Sequence, residues 1–113
     1  MPRECCGILL GAGDDVVEAV ASANLSHDPN RFLVDPAAHF SARREARRRG
    51  LSVVGFYHSH PHSAPQPSPT DIEEASYDGH LYLIVGLSTD PPELRLFRNE
   101  HMNFVQVEFV TAS

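Results

Sequence analysis

Residues 51–60 have the sequence Leu-Ser-Val-Val-Gly-Phe-Tyr-His-Ser-His. Residues 51–57 are apolar on both faces apart from one serine and one glycine, a pattern typical of a strand covered on both sides of a sheet. The glycine indicates a close approach by another backbone. Side chains alternate along a strand, so His58 and His60 are expected on one face if the extended conformation continues to residue 60. This stretch therefore predicts a central strand with two imidazoles at its carboxyl end.

The segments on both sides of this strand predict further strands and two helices. Asp35 is a good N-cap, Pro36 suits the first helical position, and Gly50 ends the helix-forming run. A second, short helix is predicted over residues 70–78, after a loop rich in proline. The remaining strands are predicted at 6–11, 16–23, 32–34, 80–87, 94–98 and 104–109. We therefore expect an α/β fold with the order β-β-β-α-β-α-β-β-β and a mixed β-sheet flanked by helices.

Length and composition limit the chain to one domain and exclude several kinds of chemistry. The 113 residues, 42% of them hydrophobic, can bury one core, so we expect a single domain over residues 1–113. The net charge of −6 disfavours a nucleic-acid-binding protein. All nine basic residues are arginine, which excludes a Schiff-base lysine and a phosphate-loop lysine.

The cysteines and the hydropathy predict a cytoplasmic protein that does not enter a membrane. Cys5 and Cys6 are adjacent, so they could pair with each other only through a strained bond, and reduced thiols are expected. The beginning of the chain has no signal-peptide pattern. No apolar run approaches the roughly 20 residues that cross a bilayer.

The first predicted helix carries a basic cluster. Its members are Arg43, Arg44, Arg47, Arg48 and Arg49. A run of like charge on a helix is usually a solvated face. A docking patch for an acidic partner is the other interpretation, and the sequence leaves both open.

His58 and His60 supply half of a metal site. Asp71 lies eleven residues beyond His60, where the proline-rich loop could bring its carboxylate back to the imidazoles. Two imidazole nitrogens and one carboxylate oxygen suit zinc, and three protein ligands leave a fourth position for water. A peptide hydrolase also needs a carboxylate that moves a proton, and Glu4 is the candidate because it precedes an apolar strand that can pair beside the His58 strand. Ser68 could donate a hydrogen bond to the oxyanion.

These residues form a pattern similar to that of a known enzyme family. The JAMM motif of MPN-type (Mov34/PAD-1-like) zinc metallopeptidases is a glutamate, then His-x-His, seven residues, a serine, two residues and an aspartate. This chain resembles it at Glu4, His58, His60, Ser68 and Asp71. The opening stretch 2–11 resembles the prokaryotic branch of the family, and the similarity continues through Phe97.

The resemblance implies a fold, a cofactor and a substrate class. The family's α/β fold is like that of cytidine deaminases, so a JAB/MPN fold is expected. Zn²⁺ would be bound by His58, His60 and Asp71, with Glu4 as the acid/base and Ser68 steadying the tetrahedral intermediate. Substrates would be the C-terminal tails of ubiquitin-like or sulfur-carrier proteins, cleaved at peptide or isopeptide bonds.

The chain departs from the family pattern in two places. Family members usually have a strand and a helix before the glutamate, whereas residues 1–3 alone precede Glu4 here. Apolar surface left bare by this difference favours self-association, so we expect a homodimer or a marginally stable monomer. The predicted loops after Ser22 and Leu87 are short, which disfavours specific cleavage of polyubiquitin.

The same residues allow other interpretations. Residues 68–71 also fit a capping box with proline at the first helical position. A cysteine nucleophile would lack the positive helix terminus that lowers a thiol pKa, so buried strand cysteines are the simpler interpretation. The zinc deaminase and His-Glu-x-x-His patterns are absent from the sequence. A non-catalytic MPN-type binding module, with or without the metal, is the main alternative to an enzyme.

Overall fold

The computed structural model describes residues 6–13, 15–25, 34–60, 80–101 and 103–110. These residues form six strands and one helix: β1 (Cys6–Ala12), β2 (Asp15–Ser22), α1 (Pro36–Arg48), β3 (Ser52–His60), β4 (Leu81–Gly86), β5 (Glu93–Glu100) and β6 (Asn103–Val107). The strands make one sheet in the order β2-β1-β3-β4-β5-β6. β3 and β4 run parallel, and the other neighbouring pairs are antiparallel. The predicted α/β fold with a mixed sheet is confirmed.

β3 lies inside the sheet, between β1 and β4, as the apolar pattern of residues 51–57 predicts. Gly55 pairs with Leu9 on one side and with Leu81 on the other. A Cβ at Gly55 would collide with the carbonyl oxygen of Leu81, so the missing side chain lets β4 pair closely. β3 also continues to His60, three residues beyond its predicted end, so both histidines belong to a paired strand.

α1 packs on one face of the sheet, against β1, β2 and β3. A carboxylate oxygen of Asp35 accepts a hydrogen bond from the backbone N–H of Ala37 at 2.9 Å, and Pro36 begins the helix. Gly50 follows the helix with a φ of 73°, in the left-handed region that favours glycine. The predicted first helix is confirmed at both ends. Among the described residues, no helix has both the length and the apolar character that a membrane span requires.

The core between α1 and the sheet fixes which way the side chains of β3 point. Its buried members are Ile8, Leu10, Ala42, Ala46, Phe56 and Tyr82. The rings of Phe56 and Tyr82, on neighbouring strands, are 5.9 Å apart between centroids. Because strand side chains alternate, residues 58 and 60 project from the same face as Phe56. The hydrophobic core therefore sets the face on which the two histidines lie.

Some predicted elements have other bounds in the structure, and one lies outside the residues that the structure describes. Of the short strand predicted at 32–34, the described part is Val34, which forms an isolated antiparallel bridge with Asn24. β6 ends at Val107, two residues before the predicted end. The second helix, predicted at 70–78, lies outside the described residues.

Candidate metal centre

His58 and His60 lie side by side at the carboxyl end of β3. Their Nε2 atoms are 3.1 Å apart. Their ring centroids are 5.0 Å apart, and the ring planes are inclined by 51°. His58 is fully buried and His60 is 5% exposed. The prediction that the two imidazoles share a face is confirmed, and the structure further shows that their Nε2 atoms converge.

Strand pairing on both sides fixes the backbone of this pair. His58 aligns with Cys6 of β1 and with Ile84 of β4. His60 aligns with Gly86, and its carbonyl oxygen accepts a hydrogen bond from the N–H of Leu87 at 3.0 Å. Side chains on a central strand keep their positions better than side chains on a loop. The fold therefore preorganises the two imidazoles before anything binds to them.

The distance between the two Nε2 atoms fits a shared metal ion. A tetrahedral zinc ion with Zn–N distances of about 2.0–2.1 Å holds two ligand nitrogens about 3.3 Å apart. The observed 3.1 Å is close to that separation. In the absence of a metal, the same distance suits a hydrogen bond in which one neutral ring donates to the other. If the donating ring carried its proton on Nδ1 instead of Nε2, the Nε2 lone pairs of both rings would be available to a metal ion, with no movement of the backbone.

The other three predicted site residues lie outside the described part of the chain. Glu4, Ser68 and Asp71 therefore keep their roles as predictions. Within the described residues, no group of three or more His, Cys, Asp or Glu side chains is close enough to hold a metal ion. A zinc site at His58 and His60 would thus need a further ligand from outside the described residues.

Cys6 is a buried strand cysteine beside the histidine pair. It is 2% exposed, and its Sγ is 3.7 Å from the carbonyl oxygen of Ala23 and 3.9 Å from that of Ser22. A thiol is a weak hydrogen-bond donor, and these backbone oxygens accept from it. The prediction of a structural cysteine is confirmed for Cys6, whereas Cys5 lies outside the described residues.

A comparison with known protein families identifies the family of this chain. The model for prokaryotic homologues of the JAB domain matches residues 1–100. The chain belongs to the prokaryotic JAB family. The predicted resemblance to JAMM/MPN proteins is confirmed, and membership of this family implies a bound metal ion. The converging imidazoles of His58 and His60 agree with that implication.

Relatives of this JAB chain include peptidases of named specificity. The desampylase of Haloferax volcanii is 42% identical over 86 residues, which cover 74% of this chain and 62% of that protein. The CysO-cysteine peptidase of Mycobacterium bovis is 30% identical over 100 residues, which cover 86% of this chain and 68% of that protein. The chain spans about three fifths of the length of the desampylases that it matches.

Solved structures support the same JAB fold. The solution structure of a protein from Desulfitobacterium hafniense superposes with a TM-score of 0.87 at 29% sequence identity. The superposition covers 97% of this chain and 79% of that one. The predicted JAB/MPN fold is therefore confirmed.

Proposed function

We propose that this JAB chain is a zinc-dependent metallopeptidase that hydrolyses peptide or isopeptide bonds at the C-terminal tails of ubiquitin-like or sulfur-carrier proteins. The observation that carries the proposal is the buried His58 and His60 pair, whose Nε2 atoms converge at the end of the central strand. A desampylase and a CysO-cysteine peptidase among the relatives support the substrate class.

The first part of the proposal concerns the metal ligands. His58 and His60 would hold zinc through Nε2, with Asp71 as the third protein ligand, the number of protein ligands typical of catalytic zinc sites. When bound there, zinc supplies Lewis-acid activation of water and of the scissile carbonyl. Because both rings are buried, the surrounding protein keeps bulk water away from the two ligand nitrogens.

The second part concerns Glu4 and rests on the register of β1 against β3. Four consecutive pairs keep one register, from Cys6 opposite His58 to Leu9 opposite Gly55. Continued for two more residues, this register would align Glu4 with His60, and directly opposed residues of antiparallel strands share a face. We assign Glu4 to take a proton from the attacking water and to donate it to the leaving amine.

The third part concerns the oxyanion. As the scissile carbonyl becomes tetrahedral, its oxygen gains negative charge that a hydrogen-bond donor can stabilise. Ser68 is assigned to that role, since its hydroxyl can donate where a carboxylate cannot. The alternative for Ser68 is capping of the helix predicted at 70–78. Replacement of Ser68 by alanine separates the two, because loss of a cap lowers stability whereas loss of an oxyanion donor lowers kcat.

The location and assembly of the protein are also part of the proposal. A cytoplasmic location is supported by Cys6, which is a buried thiol. A homodimer or a marginally stable monomer remains our prediction for the oligomeric state. The single domain over residues 1–113 is likewise proposed.

The proposal is tested with a ubiquitin-like protein fused through its C-terminal Gly-Gly to a short peptide. Mass spectrometry of the products identifies the bond cleaved, and metal analysis gives zinc per chain. Wild type should bind about one zinc and cleave after Gly-Gly, and Glu4→Gln should keep the zinc and lose turnover. An unimpaired rate for Glu4→Gln would reject the mechanism. Zinc binding by wild type without any hydrolysis would favour the binding module instead.

A further inference from the structure

A concave site lies at the start of β3, away from the histidine pair at its carboxyl end. Its cavity has a volume of about 550 Å³, within the range of small-molecule sites. Six residues of strand, about 20 Å, separate Ser52 in its wall from His58. The described residues that line it are His39, Arg43, Arg47, Leu51, Ser52, Val53 and His80. We call this cavity the basic pocket.

The lining of the basic pocket is cationic although the chain carries a net charge of −6. Two arginines and two histidines line it, and no lining residue in the described part of the chain is acidic. Arg43 and Arg47 make no ion pair with any carboxylate among the described residues. Within the described residues, their charge is therefore not neutralised by an ion pair.

The other arginines of α1 are engaged elsewhere. Arg48 pairs with Glu45 at 2.6 Å, and Arg49 pairs with Glu18 at 2.6 Å. The guanidinium carbon of Arg44 lies 5.8 Å from the centre of the exposed Phe40 ring. The basic cluster of α1 is thus divided: Arg43 and Arg47, which have neither an ion pair nor a cation–π contact with the described residues, line the basic pocket.

The four basic side chains come from elements with fixed positions. His39, Arg43 and Arg47 are four residues apart and form one row along α1. The His39 ring meets Phe56 edge to face at a centroid distance of 5.3 Å, and the His80 ring stacks on Phe56 at 6.0 Å. The carbonyl oxygen of His80 accepts a hydrogen bond from the N–H of Asn99 at 3.0 Å. Both imidazoles are therefore positioned without a ligand.

The electrostatics of His39 agree with a positive pocket. Burial of the ring, followed by the nearby Arg43 guanidinium, lowers the pKa of His39 below its ordinary value of 6.5. The ring is then neutral near pH 7 and still donates one N–H. The groups that face it are Arg43 and Arg47 from α1 and His80 ahead of β4, while β3 contributes uncharged residues to the same wall.

We propose that the basic pocket binds the phosphate group of a small molecule. Guanidinium groups donate paired hydrogen bonds that match phosphate oxygens, and two imidazoles line the same cavity. The size of the cavity leaves room for the remainder of a phosphorylated metabolite beside its phosphate. The proposal does not depend on peptidase activity, because the pocket contains neither His58 nor His60.

The test is an NMR titration of the zinc-loaded, full-length chain with inorganic phosphate at constant ionic strength. Phosphate should shift the resonances of His39, Arg47 and His80, and leave those of His58 and His60 unmoved. By linkage, phosphate binding should also raise the pKa of His39, since the anion favours the protonated ring. Absence of saturable shifts at up to about tenfold the phosphate level of a cell would overturn the proposal.

A matched pair of double variants separates the basic pocket from the general charge of α1. Arg43→Gln with Arg47→Gln should weaken phosphate binding at least tenfold. Arg44→Gln with Arg48→Gln removes the same charge from the same helix and should change binding less than threefold. Equal weakening of phosphate binding in both double variants would overturn the proposal, because the general charge of α1 would then account for the binding. Tighter binding of a short polyglutamate peptide than of pyrophosphate would also overturn it, in favour of an acidic protein partner.

Discussion

β3 is associated with two pairs of histidines that differ in what lies between the rings. His58 and His60 are two residues apart on one strand, so nothing separates them and their Nε2 atoms approach to 3.1 Å. His39 and His80 come from different parts of the chain, and each ring contacts the Phe56 ring. The imidazoles of the first pair contact each other and can share one cation, whereas those of the second pair each contact Phe56.

The neighbours of the two pairs differ as well. The strand pair is buried on a strand whose backbone is paired on both sides. The Phe56-flanking pair lines a cavity with Arg43 and Arg47, whose positive charge opposes binding of a cation. Histidine alone therefore does not define a metal site, whereas two histidines two residues apart on one strand can share a cation.

The largest expected effect separates the two pairs by their affinity for zinc. His58→Ala removes a ligand nitrogen, so the affinity for zinc should fall by more than about 100-fold, since even the residues that merely orient ligands contribute 10–100-fold. His39→Ala is the matched control and should leave zinc affinity unchanged. Competition with a chromophoric chelator measures both. Equal zinc affinity in His58→Ala and wild type would remove the distinction between the pairs.

The next largest effect is on stability and tests how closely β3 pairs with β4. In Gly55→Ala, the new Cβ must displace the Leu81 carbonyl oxygen, so the free energy of unfolding should fall by about 1–3 kcal/mol. Ser52→Ala, at an exposed position at the start of the same strand, should change it by less than about 0.5 kcal/mol. Urea denaturation measures both variants. An unchanged midpoint for Gly55→Ala would mean that the β3 and β4 backbones do not approach so closely.

A smaller effect concerns α1, the helix that contributes His39, Arg43 and Arg47 to the basic pocket. Asp35→Ala removes the hydrogen bond to the N–H of Ala37 and should cost about 1 kcal/mol of stability. Asp35→Asn keeps an acceptor and should retain most of it. Because pairing with β1 and β4 holds the backbone of His58 and His60 in the folded protein, its zinc binding should be the same in both variants. Loss of zinc from folded Asp35→Ala would show that the two ends of β3 are coupled.

The smallest effect is the titration of His39. Arg43→Gln should raise the pKa of His39, because a neighbouring positive charge is removed while burial, the larger cause of the lowered pKa, remains. In wild type, the unfolded chain binds more protons than the folded chain between the lowered pKa and 6.5, so stability should rise with pH across that window. NMR titration of the ring protons checks the pKa. A pKa that does not move in Arg43→Gln would place Arg43 away from the ring.

The sequence predicts the parts of this fold that depend on local pattern. The apolar stretch 51–57 predicts an inner strand, and Asp35 with Gly50 predicts the ends of α1, since caps and periodicity are local properties. It also anticipates the pairing of the first strand beside β3, which is confirmed by Cys6 opposite His58. The resemblance to JAMM proteins predicts the whole fold, whereas the local patterns predict only single elements.

What the sequence does not predict depends on contacts between distant segments. The order of the six strands follows from long-range pairing, which no local pattern specifies. His39 and His80 receive no role from sequence, because they are 41 positions apart and the Phe56 ring that both contact belongs to a third segment. The one local signal for the basic pocket is the four-residue spacing of His39, Arg43 and Arg47, which is equally typical of a solvated helix face.

The most direct measurement is anomalous diffraction at the zinc absorption edge from crystals of the zinc-loaded chain. We predict one strong peak at about 2.0–2.1 Å from the Nε2 atoms of both His58 and His60. A crystal in which the zinc peak lies elsewhere, or in which these imidazoles stay hydrogen-bonded to each other under saturating zinc, would contradict the account.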